Sequence, residues 1–175
     1  MGSNDPTALD ISVVCIHDTL DDSFKSYTVD QLRNLWPVLE ETDIIVTWNG
    51  EHFDIPLLNK YYPGDLGKIK SVDMMKEAQA VLGRRLKLDT VAAATLGVPK
   101  SGNGIEAVEW WRKGEIDKIV KYCTDDVRIT KEIYEYALKY GHIKYRDGGT
   151  ILELKLDTRE WEVPASGAMT FTLPF

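Results

Sequence analysis

Asp43-Ile44-Ile45-Val46-Thr47-Trp48-Asn49-Gly50-Glu51-His52-Phe53-Asp54-Ile55-Pro56-Leu57-Leu58 is the stretch on which the fold turns. Its first six residues form a short apolar run rich in β-branched side chains, the pattern of a buried strand. Asn49-Gly50 is a turn signal that closes it. A short helix follows, with Asp54 as its candidate N-cap and Pro56 near its start. A strand end thus hands a carboxylate, Asp54, to the beginning of a helix.

Working outward, Ile11 to His17 reads as another buried strand, and Phe24 to Val29 as its antiparallel partner across a turn at Asp18 to Ser23. Asp30 is placed to cap a helix in which Leu32, Leu35, Trp36 and Leu39 recur at helical spacing. Downstream, Lys68 to Val72 reads as a short strand and Asp73 to Leu82 as a helix begun by an aspartate. Asp89 is expected to cap a further helix that stops at Gly97 and Pro99. Ile105 to Lys113 and the long stretch Glu115 to Tyr140, ended by Gly141, complete the helices. His142 to Asp147 and Ile151 to Asp157 flank Gly148-Gly149 and predict a β-hairpin. No repeat or linker interrupts this series. The expectation is one domain over residues 1–163, with an irregular segment at 1–10 and a loosely held tail at 164–175. Strands first and helices after, with one strand–helix–strand passage, predict an α/β fold with a mixed sheet flanked by helices.

Composition narrows the function. A chain of 175 residues with 43% hydrophobic and 28% charged residues has the balance of an ordinary globular domain rather than a disordered one. Its two cysteines, Cys15 and Cys123, each fall inside a regular element and point to reduced thiols, not a disulfide framework. No apolar run approaches the roughly 18 residues of a membrane span, and the first ten residues lack the features of a signal peptide, so a cytoplasmic protein without a membrane partner is expected. A formal net charge of −7 counts against a general polyanion binder. It is compatible with a nuclease whose acidic centre is neutralised by metal ions while a local basic patch (Arg84, Arg85, Lys87, Lys100, Arg112 and Lys113) follows the phosphates. Solvated surface is the plain alternative for those cations.

Tyr122 and Asp126 stand four residues apart in the long predicted helix and so share one face. A phenol and a carboxylate on that face, together with Asp54, suggest a metal centre for phosphate chemistry. Each has a plainer role available: Tyr122 as a core tyrosine, Asp126 as a surface carboxylate paired with a lysine, Asp54 as a helix cap.

Three segments carry a family resemblance. Trp48-Asn49-Gly50-Glu51-His52-Phe53-Asp54-Ile55-Pro56-Leu57-Leu58 resembles the second motif of the DEDD-type 3′–5′ exonucleases. Tyr122-Cys123-Thr124-Asp125-Asp126-Val127 resembles the third in its tyrosine form, Tyr-x-x-x-Asp. Arg85-Leu86-Lys87-Leu88-Asp89-Thr90-Val91-Ala92 with Lys100-Ser101-Gly102 is similar to the connecting region of the branch related to the exonuclease domain of family B DNA polymerases. The likeness spans roughly residues 11 to 147. It implies a ribonuclease-H-like fold and hydrolysis of phosphodiester bonds from the 3′ end of single-stranded or frayed DNA, with RNA as the other candidate. By the resemblance, Asp126 binds a first Mg²⁺ or Mn²⁺, Asp54 joins the carboxylate cluster of a two-ion site, and Tyr122 orients the attacking water. A phenol with a pKa of about 10 keeps its proton at neutral pH and so positions rather than deprotonates. Asn49 and Phe53 are candidates to contact the terminal nucleotides, aromatic stacking being tolerant of sequence.

One departure from the family is plain. Its first motif, Asp-x-Glu on an opening central strand, is absent: Asp10-Ile11-Ser12 has serine where glutamate belongs. The expectation is therefore a sheet lacking its central strand and a centre lacking two carboxylates. Residues 1–10, the tail strand at 151–157, or a strand from a second copy of the chain are the candidates to fill that place, unless the strands close up. The alternative function is a non-catalytic module that binds nucleic acid or protein on the same fold.

Overall fold

The computed structural model describes residues 9–99 and 104–165. Among these residues, six strands and six helices follow in the order β1 (Val13–Asp18), β2 (Ser23–Thr28), α1 (Leu32–Glu40), β3 (Ile44–Thr47), α2 (Asp54–Asn59), β4 (Lys70–Asp73), α3 (Met74–Leu82), α4 (Leu88–Leu96), α5 (Gly104–Arg112), α6 (Ile116–Tyr140), β5 (His142–Asp147) and β6 (Thr150–Lys155). Short 3-10 turns at Val29–Gln31 and Leu66–Lys68 lead into α1 and β4.

The strands form three separate ladders. β1 and β2 pair antiparallel from Val13↔Thr28 to Asp18↔Ser23. β3 and β4 pair in parallel from Ile44↔Lys70 to Thr47↔Asp73, and β5 and β6 pair antiparallel from His142↔Lys155 to Asp147↔Thr150. The mixed α/β class stands, with small sheets flanked by helices and the C-terminal hairpin in place.

Two apolar clusters show how the ladders lie. Leu32, Leu35 and Leu39 of α1, Ile55 and Leu57 of α2, Ile11 and Leu66 form one cluster, against which Val14 and Ile16 of β1 and Ile45 of β3 pack. The other cluster takes Val72, Met74 and Ala78, residues of α4 and α6 and the hairpin residues Ile143, Tyr145 and Leu154, with Ile44 and Val46 of β3 against it. Alternation along β3 therefore sends neighbouring side chains to opposite faces, as the pleat requires. Cys15, between Val14 and Ile16, faces α6, with its Sγ 3.8 Å from the Val120 carbonyl. β1 and β3 thus share one layer between α1/α2 and α6, yet they exchange no backbone hydrogen bonds. Every residue of β1 and β3 is only partly buried, as befits strands with an unpaired edge in a core layer.

Several expectations are corrected here. The tail strand does not fill the place beside β1: it pairs with β5 alone, in a two-stranded ladder of its own. The strands do not close up either. Leu9 and Asp10 lie against the end of α2, where Lys60 Nζ donates to the Leu9 carbonyl and Tyr61 Oη to Asp10 Oδ1 at 3.1 Å, while residues 1–8 are outside the described residues. Asp54 is not the cap of α2: Phe53 occupies that position and Asp54 is the first helical residue. Asp89 likewise sits inside the first turn of α4, with Lys87 at the cap. Asp30 lies within the 3-10 turn, where the Gln31 side chain, not Asp30, takes the Thr28 N–H at 3.1 Å.

Candidate active site

Residues 48–54 are held in shape by a buried carboxylate. Asp73, at the end of β4, is 2% exposed. Its Oδ1 accepts from the backbone N–H of Asn49 at 2.7 Å and of Met75 at 3.1 Å, and more weakly from Lys76 at 3.3 Å. Its Oδ2 accepts from Glu51 N–H at 3.1 Å. One side chain therefore caps α3 and ties β4 to the loop after β3, satisfying donors that would otherwise be orphaned. Asn49 adopts a left-handed backbone (φ +68°), which asparagine tolerates better than most residues. Phe53 N–H returns to the Asn49 carbonyl at 3.1 Å and Ile55 N–H to that of Gly50 at 2.9 Å, so the loop winds directly into α2. A Cβ on Gly50 would lie 2.5 Å from the Thr47 side chain, which leaves room for glycine alone.

This loop delivers Asp54. The residue is exposed to solvent at the start of α2, yet desolvation by the surrounding protein, with the Asp73 charge second, pushes its pKa up to about 6. Asp126 is half-buried on α6, and burial followed by the charges of Asp89 and Asp125 pushes it likewise to about 6. No Lys or Arg forms an ion pair with Asp126 among the described residues. Tyr122 is partly buried on the same helix face. Burial, then the charges of Asp126 and Asp89, raise its pKa, so the phenol stays protonated at neutral pH. The Trp110 ring packs edge-on against Tyr122, centroids 6.1 Å apart, and fixes the tyrosine from α5.

The structure thus brings Tyr122, Asp126 and Asp89 into one electrostatic neighbourhood and Asp54 and Asp73 into another. The charges acting most strongly on Asp126 are Asp89 and Asp125, and on Asp54, Asp73. Among the described residues, no three His, Cys, Asp or Glu side chains gather into a group able to hold a metal. In kind, the donors fit a hard divalent cation: carboxylates whose negative charge is disfavoured by burial and mutual repulsion are what a cation would relieve. In number they fit one ion completed by phosphate and water rather than a two-ion cage, since magnesium is commonly held by one or two carboxylates plus substrate phosphates.

The remaining candidates are placed as follows. Phe53 is exposed at the loop. Arg85 donates from Nη2 to Asn49 Oδ1 at 2.6 Å, joining two of the candidate strand-binding residues. Lys87 is exposed at the start of α4. Arg84 is drawn off to Asp147 at 3.6 Å and stacks over Tyr145. Lys100 lies outside the described residues. Trp48 has the structural role, packing against the core with Nε1 donating to the Leu86 carbonyl at 3.3 Å. Cys15 and Cys123 are free thiols brought together by β1 on α6: hydrogen bonding to Cys123 lowers the Cys15 pKa, and the same contact with burial raises that of Cys123.

Sequence reading missed Asp73 and Asp89 as members of the site and saw both as helix caps. Trp110 carried a signal, since adjacent Trp110 and Trp111 cannot both face the core; Trp111 is 51% exposed.

A family model described as RNase H superfamily matches residues 11–138, most of the chain. The chain belongs to the RNase H superfamily. No curated protein and no solved structure matches it significantly. RNase H superfamily domains are generally hydrolytic nucleases using divalent metals, so membership makes a nuclease-like or nucleic-acid-binding function the coarse assignment, and the mixed α/β architecture with its C-terminal hairpin agrees. No helix among the described residues is long and apolar enough to cross a membrane.

Proposed function

We propose that this RNase H superfamily domain is a metal-dependent phosphodiesterase of the 3′–5′ exonuclease type, acting on single-stranded or frayed DNA, with RNA as the second substrate candidate. The observation that carries the reading is the α6 face: Tyr122 and Asp126 side by side, the acid pushed up to about 6 and without an ion-paired cation among the described residues. An unneutralised, half-buried carboxylate beside a protonated phenol is a poor structural device and a good receptor for a cation and a water. When bound, Mg²⁺ or Mn²⁺ supplies charge stabilisation at the phosphate and lowers the pKa of water. Asp126 would hold the ion, and Asp54 is the second carboxylate this reading assigns to it. The Tyr122 hydroxyl, fixed by Trp110, orients the attacking water by hydrogen bonding and keeps its own proton. Asn49, Phe53, Arg85, Lys87 and Lys100 hold the strand.

A 5′-labelled single-stranded oligonucleotide incubated with the protein and Mn²⁺ tests this. Stepwise shortening from the 3′ end, abolished in Asp126→Ala, is expected; shortening unaffected by that substitution overturns the reading. A second reading, a non-catalytic nucleic-acid-binding module, is favoured by the lack of a three-ligand group among the described residues. Retention of the intact oligonucleotide without shortening would establish it.

A further inference from the structure

A cleft of about 320 Å³ opens beside the loop that carries Asp54, lined by Asn49, Glu51, His52, Lys76, Gln79 and Arg85 over a floor of Met75 and Asp73. We infer that this cleft binds one nucleotide unit of a single strand, its phosphate on Arg85 and its base toward Gln79 and His52; the inference rests on the nuclease reading above and names the part of the substrate this side of the site would take. The cleft's exposed guanidinium is what points there. Arg85, at the rim, donates to the neutral side-chain oxygen of Asn49 and forms no ion pair with a carboxylate among the described residues. A guanidinium carries five N–H donors in a planar fork, so that bond leaves most of them for a phosphate.

Neither acid in the cleft is without a partner. Glu51 is neutralised by its ion pair with Lys76, and Asp73 is buried beneath four backbone N–H groups. Asn49, the residue presenting the acceptor to Arg85, is fixed through its own N–H, its carbonyl and its left-handed backbone, so the guanidinium is held in place before any ligand arrives. The volume stands at the lower end of the range for small-ligand pockets, about 300–1,000 Å³, which suits one nucleotide and no more.

Titration of the full chain with thymidine 5′-monophosphate in EDTA, followed by NMR or calorimetry, tests the cleft without any metal or turnover. Saturable binding is expected, with thymidine binding at least about tenfold more weakly, and with a similar loss in Arg85→Gln. Gln79→Trp, a substitution at an exposed position of α3 that fills the cleft but leaves the Arg85–Asn49 contact alone, is expected to lose binding as well. An oligothymidylate should compete the monophosphate away. Absence of saturable binding, wild-type affinity in either variant, or failure of the strand to compete overturns the inference. Absence of hydrolysis by the wild-type chain with intact cleft binding would count against the nuclease reading alone, and hydrolysis with an empty cleft against the cleft alone.

Discussion

Replacing Asp73 by alanine removes four hydrogen bonds at once, and their cost can be worked out from the geometry. The cap on α3, made to Met75 and Lys76, is worth about 1 kcal/mol. The Asn49 and Glu51 amides are left without their acceptor in a part-buried loop, at about 1 kcal/mol each. The total is about 3 kcal/mol, a large share of the roughly 5–15 kcal/mol that holds a domain together. For a chain of this size that corresponds to a fall in Tm of about 6–12 °C. Asp73→Asn keeps an oxygen for Asn49, Met75 and Lys76 but turns an amide NH₂ toward the Glu51 N–H, so a smaller loss of about 1–2 kcal/mol is expected. Urea unfolding of both variants with an unchanged m-value gives these numbers, and native-state hydrogen exchange should show the Asn49 and Glu51 amides opening first. If Asp73→Ala cost no more than a surface substitution, within about 0.5 kcal/mol, the picture of Asp73 as the tie between β4 and the loop would be wrong.

Other expectations follow from the same contacts. Trp161 is 4% exposed and stacks on Tyr134 with ring centroids 5.6 Å apart, so Trp161→Ala should cost about 3–5 kcal/mol in urea unfolding. Gly50→Ala places a methyl against Thr47 and should disturb the loop, seen as shifted amide resonances over residues 49–54, while Gly149→Ala, with open space around it, should not. Asp126 has a folded pKa of about 6 against an unfolded value near 3.8, so the folded state binds the extra proton between those values. Its contribution to stability is greatest below pH of about 4 and is lost as pH rises through about 6. Asp126→Asn should flatten that part of the stability–pH curve; an unchanged curve would refute the burial argument. Millimolar Mn²⁺ should raise Tm at pH 7.5, where the acid is ionised, and have little effect at pH 5.

Much of the fold was legible because its signals are local. The apolar, β-branched run Ile44 to Thr47, the Asn49-Gly50 turn, the helix stop at Gly141 and the hairpin around Gly148-Gly149 each report their own backbone, and the strands and helices fall close to where those signals put them. What escaped was nonlocal. An aspartate before a helix reads as a cap, and Asp73 is one, but nothing in residues 70–76 says that the same carboxylate reaches back to Asn49 and Glu51. The pairing of Tyr122 with Asp126 follows from helical periodicity, whereas the addition of Asp89 and Trp110 to that neighbourhood depends on how α4 and α5 lie against α6. The division into three ladders was foreshadowed by the missing motif, but which edges stay open is set by packing that no strand encodes alone.

The central claim is that the face of α6 bearing Tyr122 and Asp126 receives a divalent cation. Titrating Mn²⁺ into ¹⁵N-labelled protein and mapping the paramagnetic loss of amide signals tests it most directly. Selective broadening around Tyr122, Asp126 and Asp89, extending to Asp54 and abolished in Asp126→Asn, is the result expected. Broadening confined to exposed acids elsewhere, such as Asp157 or Asp21, or a pattern that Asp126→Asn leaves unchanged, would contradict it.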